Sequence, residues 1–213
     1  MTGAGSGPRH EHSSLDAVRL RRLNRWQAES LREDLADLYV ESSHAEAGET
    51  YRRREDFLRR LADSVRRPGF SMLVAETATL AGCAFGFPIA RDGTWWLGFE
   101  GELPSSVEQL TSSGHAFAIT EIVVHPHEHT PDLARLLQTQ LLADHHASLG
   151  ATLVDQADRA VHAAFRAWGW QDIGQVRKPS VSAAQRALVL PLGERTAGRP
   201  DGLGHNARTQ RPE

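Results

Sequence analysis

One carboxylate stands inside an otherwise apolar run, AFAITEIVV, over residues 116–124. The run has the composition of a β-strand, and strict alternation puts four side chains on one face: Phe117, Ile119, Glu121 and Val123. Burying an unpaired carboxylate costs free energy. Two interpretations therefore stay open for Glu121. It pairs with an arginine or lies on a solvated patch, or it is a general base whose pKa apolar neighbours raise.

A helix start follows this strand within a few residues. Thr130 can cap the helix, Pro131 suits its first position, and Asp132 complements the positive end of its dipole. A helix N-terminus directed out of a strand can bind an anion. The Asp132 carboxylate already supplies negative charge at this helix end, and Pro131 removes one amide donor. The spacing therefore supports the helix more firmly than it supports a bound anion.

The elements that position these residues are predicted from apolar periodicity. A strand is expected at Val18 and Leu20, then a helix over about 25–42, a second helix closed by Pro68-Gly69, and a hairpin of 71–76 and 80–89. There follow a strand or aromatic loop at 95–99, a strand at 117–124, a third helix at 131–148, a strand at 151–154, a short helix at 160–168, and strands at 173–176 and 187–192. The order β-α-α-β-β-β-β-α-β-α-β-β indicates an α/β domain with a mixed sheet.

Composition places this domain over residues 15–193. Residues 1–14 and 194–213 are polar and rich in glycine, so we expect two disordered tails. A net charge of −3 and a pI near 6.4 exclude a general attraction to nucleic acid or to anionic membranes. The single cysteine, Cys83, and the lack of a long apolar run predict a cytoplasmic protein.

Three stretches together resemble one known family. Residues 120–126 (TEIVVHP) are similar to its fourth strand, the helix carrying Leu133, Leu136 and Leu137 is similar to its third helix, and residues 165–170 (FRAWGW) resemble its Y-x-x-x-G-F motif. The family is the GNAT superfamily of acyl-CoA-dependent N-acyltransferases. The resemblance covers almost all of residues 16–192 and implies a mainly antiparallel sheet flanked by helices.

The resemblance also implies a chemistry. Acetyl-CoA would be the co-substrate, lying between the fourth and fifth strands, and an amine of a small molecule or a protein would accept the acetyl group. Glu121 matches the frequent base, and the backbone of Val123 and Val124 matches the stretch that holds the thioester and pantetheine arm. The diphosphate would rest on the helix start, at His129, Thr130, Asp132, Leu133 and Ala134. Substrate contacts are expected from the aromatic residues Phe85, Phe87, Trp95 and Trp96. For Trp95, Trp96 and Phe99, packing in the core is an equally open alternative.

Two positions depart from the family pattern. The phosphate loop Q/R-x-x-G-x-G/A is matched by residues 129–134, HTPDLA, in which Asp132 replaces a glycine. A like-charge pair near 5 Å costs roughly 1–3 kcal/mol, or about ten- to a hundredfold in affinity. Phe165 stands where the family has a tyrosine that protonates the leaving thiolate. Both departures favour an alternative, a catalytically impaired binding or regulatory module.

Other charged clusters point elsewhere. Alternate histidines at 125, 127 and 129 could ligate Zn²⁺ or Ni²⁺, but Pro126 interrupts the strand, so no metal is expected. The arginines of residues 52–67 have acidic neighbours at helical spacing, which indicates a solvated face, although the cluster could favour an acidic substrate. We expect no nucleic-acid or membrane partner, and a monomer or homodimer. Trp168 and Trp170 are predicted to be core.

Overall fold

The computed structural model describes residues 18–43, 47–126, 132–179 and 183–193. The two predicted tails, 1–14 and 194–213, lie outside these ranges, as do His129, Thr130 and Pro131. None of the helices within the described ranges is long and apolar enough to cross a bilayer.

Seven strands and six α-helices make up the described fold. They are β1 Arg19–Leu23, α1 Arg25–Ser30, α2 Arg32–Ser42, α3 Ala47–Val65, β2 Ser71–Glu76, β3 Leu80–Pro88, α4 Ser105–Ser112, β4 Ala116–Val124, α5 Leu133–Asp144, β5 Leu149–Asp155, α6 Arg159–Ala167, β6 Gln171–Val176 and β7 Gln185–Pro191.

The strands form one sheet in the order β1-β2-β3-β4-β5-β7-β6. All neighbouring pairs are antiparallel except β4 and β5, which are parallel. The predicted mixed, mainly antiparallel sheet is therefore confirmed. A parallel pair needs a crossover connection, and α5 supplies it between β4 and β5.

Helices cover both faces of this sheet. Side chains of α5 and α6 pack on one face, around Phe117, Leu137 and Trp170. On the opposite face α1–α3 pack over β1–β3, around Phe57 and Phe85, and α4 continues that layer over β5 and β7. The site described below lies at β4, where the half of the sheet formed by β1–β4 meets the half formed by β5, β7 and β6.

Two stretches differ from the predicted elements. Of the two alternatives expected for residues 95–99, a strand or an aromatic loop, the strand does not form: Thr94–Trp96 make a 3-10 turn, and Phe99 forms an isolated bridge with Val176. The turn forms because Asp92 accepts hydrogen bonds from Thr94, while Trp96 is buried and donates to Thr111 at 3.0 Å.

The helix α4 lies between residues 99 and 117, where the sequence predicts no element. It buries only Val107 and Thr111, too few apolar positions for periodicity to reveal it. The predicted helix over 25–42 is divided at Leu31, which has non-helical dihedral angles and separates α1 from α2.

Candidate functional site

The parallel strands β4 and β5 separate after a short contact. Only Ala116–Ala118 pair with Leu149–Ala151, although β4 continues to Val124 and β5 to Asp155. A cavity of 190 Å³ opens between the diverging strands. Its lining comes from β4, β5 and α6: Ile119, Thr120, Glu121, Ile122, Thr152, Leu153, Val154, Asp155, Asp158, Val161 and Phe165. We call this cavity the wedge.

A β-bulge at Thr120 accompanies the divergence. Phe85 pairs with Glu121 and the next residue, Gly86, pairs with Ile119, so Thr120 is the extra residue on β4. Its Oγ1 donates a hydrogen bond to the Phe85 carbonyl at 3.2 Å. A Cβ on Gly86 would lie 1.9 Å from the Ala118 carbonyl oxygen, so only glycine fits there. Because a bulge bends its strand, it provides the physical reason for β4 to turn away from β5.

The bulge also changes which face Glu121 occupies. Phe117 and Ile119 pack on the α5 face, whereas Val123 packs on the opposite face with the side chains of α1–α3. Glu121 contacts Arg60 of α3 and therefore lies on the same side as Val123. The predicted common face for these four residues is wrong, because one extra residue shifts the alternation by one position.

Glu121 is mostly buried and ion-paired. Arg60 Nε donates to Glu121 Oε2 at 3.0 Å, and the Glu121 side chain is 16% exposed. Burial raises the pKa of Glu121, and the charge and hydrogen bond of Arg60 only partly oppose that rise. Arg60 is held in turn against the Tyr39 ring, at 5.1 Å from its centroid. The arginine pairing of the first interpretation is thus present, together with the raised pKa of the second.

The backbone of β4 beyond the bulge has one paired and one open edge. The His125 amide donates to the Ala81 carbonyl at 2.8 Å, and the Val123 carbonyl approaches to 2.9 Å of a Cβ placed on Gly82. Peptide groups alternate in direction along an antiparallel pair. The N–H and C=O groups of Val123 therefore point towards β3. The N–H and C=O groups of Ile122 and Val124 point to the open edge, from which β5 has diverged.

The helix α5 begins at Leu133, with Asp132 at its N-cap position. The Asp132 side chain is exposed and accepts no hydrogen bond from the first turn, while its carbonyl accepts one from the Leu136 amide at 2.7 Å. Leu133 is fully buried and Ala134 half-buried. The first amides of an α-helix generally lack an intrahelical partner, so those of Leu133 and Ala134 are candidate donors for an anion despite the nearby carboxylate. The predicted contacts of His129 and Thr130 lie outside the described residues.

The far wall of the wedge comes from the start and the middle of α6. Asp158 caps α6 by accepting from the Val161 amide at 3.0 Å. Phe165 is nearly buried and makes edge contacts with Trp168 and Trp170, at centroid distances of 5.4 and 5.1 Å. Trp170 is core, as predicted, and donates to Gln138 at 2.9 Å. Phe165 therefore lines the wedge but offers no proton.

The four predicted substrate aromatics separate into two pairs. Phe87 and Trp95 line a second cavity of 520 Å³, and their rings meet edge to face at 5.8 Å. Phe85 is fully buried among Phe57 and Phe70, and Trp96 is core. The structure thus brings two of the four to a cavity. Neither Arg60, one of the arginines of residues 52–67, nor Thr120 was predicted as a site residue, and both border the predicted base. Their role depends on the bulge and on α3 packing, for which the sequence carries no local signal.

The histidine run is only partly described. His125 lies 3.1 Å from Glu41, and His127 and His129 lie outside the described ranges. Within those ranges no three potential metal ligands come together.

Comparisons with known proteins agree on the fold. No protein-family model and no curated protein matches the sequence. Among solved structures, a protein from Desulfovibrio desulfuricans described as a GNAT-family acetyltransferase superposes with a TM-score of 0.54 at 13% identity, covering 82% of this chain and 99% of that one. The PaiA N-acetyltransferase of Thermoplasma acidophilum, in complex with coenzyme A, gives 0.53 at 11% identity, covering 82% and 99%. The chain therefore has the GNAT-like fold.

Proposed function

We propose that this protein is an N-acyltransferase that transfers an acetyl group from acetyl-CoA to an amine. The observation that carries the proposal is the divergence of β4 from β5, which opens the wedge between a strand edge and α6. The PaiA enzyme, which binds coenzyme A on the same fold, supports a CoA thioester as the donor.

The donor set fits an extended thioester. The open-edge peptide groups of Ile122 and Val124 would hydrogen-bond the amides of the pantetheine arm, as a further strand would. The amides that open α5 would take the diphosphate. Asp132 opposes this last contact, so we expect a weaker diphosphate interaction than glycine would permit.

The chemistry assigned to Glu121 is proton removal. Its carboxylate would accept a proton from the substrate ammonium. The amine nitrogen would then form a bond to the thioester carbonyl carbon, and the carbon–sulfur bond would break. Since Phe165 carries no hydroxyl, water would relay the second proton of the amine nitrogen to the leaving thiolate, which gives the amide and the CoA thiol. Peptide donors at the bulge would stabilise the oxyanion, and proximity would supply much of the rate.

Calorimetry and thermal unfolding with acetyl-CoA test the proposal. A ligand at about 100 times its dissociation constant stabilises the fold by roughly 2.7 kcal/mol. We expect a shift with acetyl-CoA and a smaller one with ADP, which lacks the pantetheine arm. No shift at millimolar acetyl-CoA would contradict the proposal.

One alternative is a binding or regulatory module that holds acetyl-CoA without transferring its acetyl group. Two observations favour it. Arg60 forms an ion pair with Glu121, the predicted base, and Phe165, which lines the wedge, has no hydroxyl to protonate the leaving thiolate. Release of free CoA thiol, measured over a panel of amines, separates the two functions. Binding without any release would support the module.

A further inference from the structure

The 520 Å³ cavity is lined from the strand next to Glu121, on the same face of the sheet. Phe85 is the partner of Glu121 in the β3–β4 pairing, and Phe87 follows two residues later on the same face of β3. Two strand residues span roughly 7 Å. Arg60, which holds Glu121, and Arg67, which lines the cavity, also belong to one continuous segment, α3 and the turn after it. The cavity is thus positioned to hold the far end of a molecule whose near end reaches Glu121.

Three cations line this cavity, each from a different segment: Arg67 after α3, Arg91 after β3, and Lys178 after β6. The Arg67 guanidinium lies 5.5 Å from the centroid of the Phe87 ring, and Lys178 Nζ lies 4.3 Å from that of Trp95. These cation–π contacts hold both cations at the wall without neutralising them.

Arg91 packs against the backbone at Gly114 rather than against an aromatic ring. A Cβ at Gly114 would lie 2.7 Å from Arg91 Nε, and Gly114 has a φ of +80°. Glycine at this position therefore lets the arginine lie directly across the chain. Both Arg91 and Gly114 line the cavity.

No acidic side chain balances these charges within the ranges the structure describes. The cavity lining includes no carboxylate. The nearby Asp92 accepts from the Thr94 amide and hydroxyl at 3.0 and 2.9 Å, and Glu100 pairs with Arg177 at 2.5 Å. Burial lowers the pKa of Lys178, and the charge of Arg67 lowers it further. Positive charges gathered between apolar walls create a strong local potential for an anion.

We propose that this cavity binds the anionic group of the acetyl acceptor, a carboxylate or a phosphate, with an apolar part of the molecule against Phe87 and Trp95. The acceptor is then a zwitterion whose amine lies about 7 Å or more from its anionic group. Its identification as the acceptor rests on the proposed function. The binding of an anion in this cavity does not depend on the proposed function.

Calorimetry on the full chain with three probes tests the anion site: phenyl phosphate, benzoate and benzyl alcohol. We expect one or both anions to bind at least about tenfold more tightly than the neutral alcohol, since charge-assisted hydrogen bonds are the stronger ones. The ratio of the two anion affinities identifies the preferred group. Equal affinity for all three probes overturns the proposal.

Charge-removing variants locate the site. Arg67→Gln should weaken anion binding by about tenfold. The matched control is Arg66→Gln, whose side chain is 79% exposed and lies 3.9 Å from Asp63; it should change nothing. Lys178→Met is a second variant in case Arg67→Gln does not fold. Equal losses in the Arg66 and Arg67 variants overturn the proposal.

Acetyl-CoA and two amines separate this inference from the proposed function. Arg67→Gln should leave acetyl-CoA affinity unchanged, and it should raise the KM for 6-aminohexanoate but not for hexylamine. Equal weakening of phenyl phosphate and acetyl-CoA overturns the inference, because the cations would then hold the donor. A protein that binds phenyl phosphate as expected but not acetyl-CoA refutes the acyl transfer and leaves the anion site standing.

Discussion

At the scale of the residue, Glu121 is held by an arginine and still ionises less readily than a free carboxylate. Burial raises its pKa more than Arg60 lowers it. A base with a raised pKa takes a proton more effectively at neutral pH than an ordinary glutamate does. Arg60 keeps the carboxylate in one position and is itself held over Tyr39. Arg60 therefore orients the Glu121 carboxylate, while burial makes that carboxylate a stronger base.

Replacing Glu121 by glutamine keeps the shape of the side chain and removes the base. We expect turnover to fall by about 10²–10⁴-fold with acetyl-CoA affinity unchanged. Turnover is measured by thiol release and affinity by calorimetry. Glu108→Gln, an exposed change on α4, is the control. Unaltered turnover in Glu121→Gln would remove Glu121 from the mechanism.

The direction in which the pKa of Glu121 is shifted predicts how stability and turnover of the wild-type protein depend on pH. Because the folded state raises the pKa of Glu121, the protonated carboxyl stabilises the fold below the unfolded pKa, and that contribution is lost as pH rises through the folded pKa. Turnover should rise over the same upper range as the base ionises. The wild-type rate profile should show this limb above pH 4.5, the ordinary value, and Glu121→Gln should lack it.

Whereas Glu121 is expected to assist the reaction, Asp132 is expected to weaken the binding of acetyl-CoA. Its side chain accepts no hydrogen bond from α5, so its removal costs the helix little, and glycine serves at an N-cap with a loss of only a few tenths of a kcal/mol. Asp132→Gly should tighten acetyl-CoA binding by about ten- to a hundredfold. Asp132→Asn removes the charge alone and should reproduce most of the gain. A weaker complex in both variants would refute this interpretation.

At the scale of the element, the bulge in β4 is the feature that opens the site. It turns the second half of the strand away from β5 and puts Glu121 on the α3 face. It depends on Gly86 of the neighbouring strand, where the Ala118 carbonyl occupies the space of a side chain. Strand pairing across β3 and β4 and the shape of the wedge are thus coupled.

Gly86→Ala tests this coupling. Since the clash is with backbone and cannot be relieved by rotating a side chain, we expect a loss of about 2–4 kcal/mol in the free energy of unfolding. Urea denaturation measures it. At Gly193 an added Cβ meets nothing within 4 Å, so Gly193→Ala should be nearly neutral. If Gly86→Ala were equally neutral, the close approach would not constrain β4.

At the scale of the whole molecule, the sheet joins two halves that meet at the wedge. The half after the wedge is held by β5, β7 and β6, and an ionic cluster links its last two strands and α6. Arg186 donates to both oxygens of Asp172, at 2.8 and 2.6 Å, and His162 lies 2.9 Å from the same carboxylate. Burial opposes ionisation of Asp172, but these hydrogen bonds outweigh it and lower its pKa.

Asp172 should therefore make the fold sensitive to acid. A lowered folded pKa contributes stability that is present above the unfolded pKa and is lost as pH falls through the folded value. Asp172→Asn should cost about 1.5–3 kcal/mol at pH 7, with the difference from wild type shrinking in acid. Thermal unfolding from pH 7 down to pH 3 measures this. A difference that stays constant would show that the carboxylate charge is not responsible.

The elements were largely determined by the sequence alone, because apolar periodicity and turn residues are local. The strand that carries Glu121, the hairpin of β2 and β3, the start of α5 within two residues, and the core position of Trp170 all follow from it. The mixed sheet follows from their order, and its mainly antiparallel pairing was implied by the resemblance to the GNAT superfamily. Packing decided what local patterns left open or missed. Residues 95–99, expected as a strand or an aromatic loop, contain a 3-10 turn with Trp96 in the core, and α4 buries too few apolar side chains for periodicity to reveal it.

Only the tertiary structure decided the site. The bulge at Thr120 depends on Gly86, more than thirty residues away, and it reverses the face on which Glu121 lies. The ion pair with Arg60 joins residues sixty-one positions apart, and the cationic cavity gathers Arg67, Arg91 and Lys178 from three segments. Strand pairing and helix packing bring such residues together across the sheet, so their charges and shapes combine only in the folded chain.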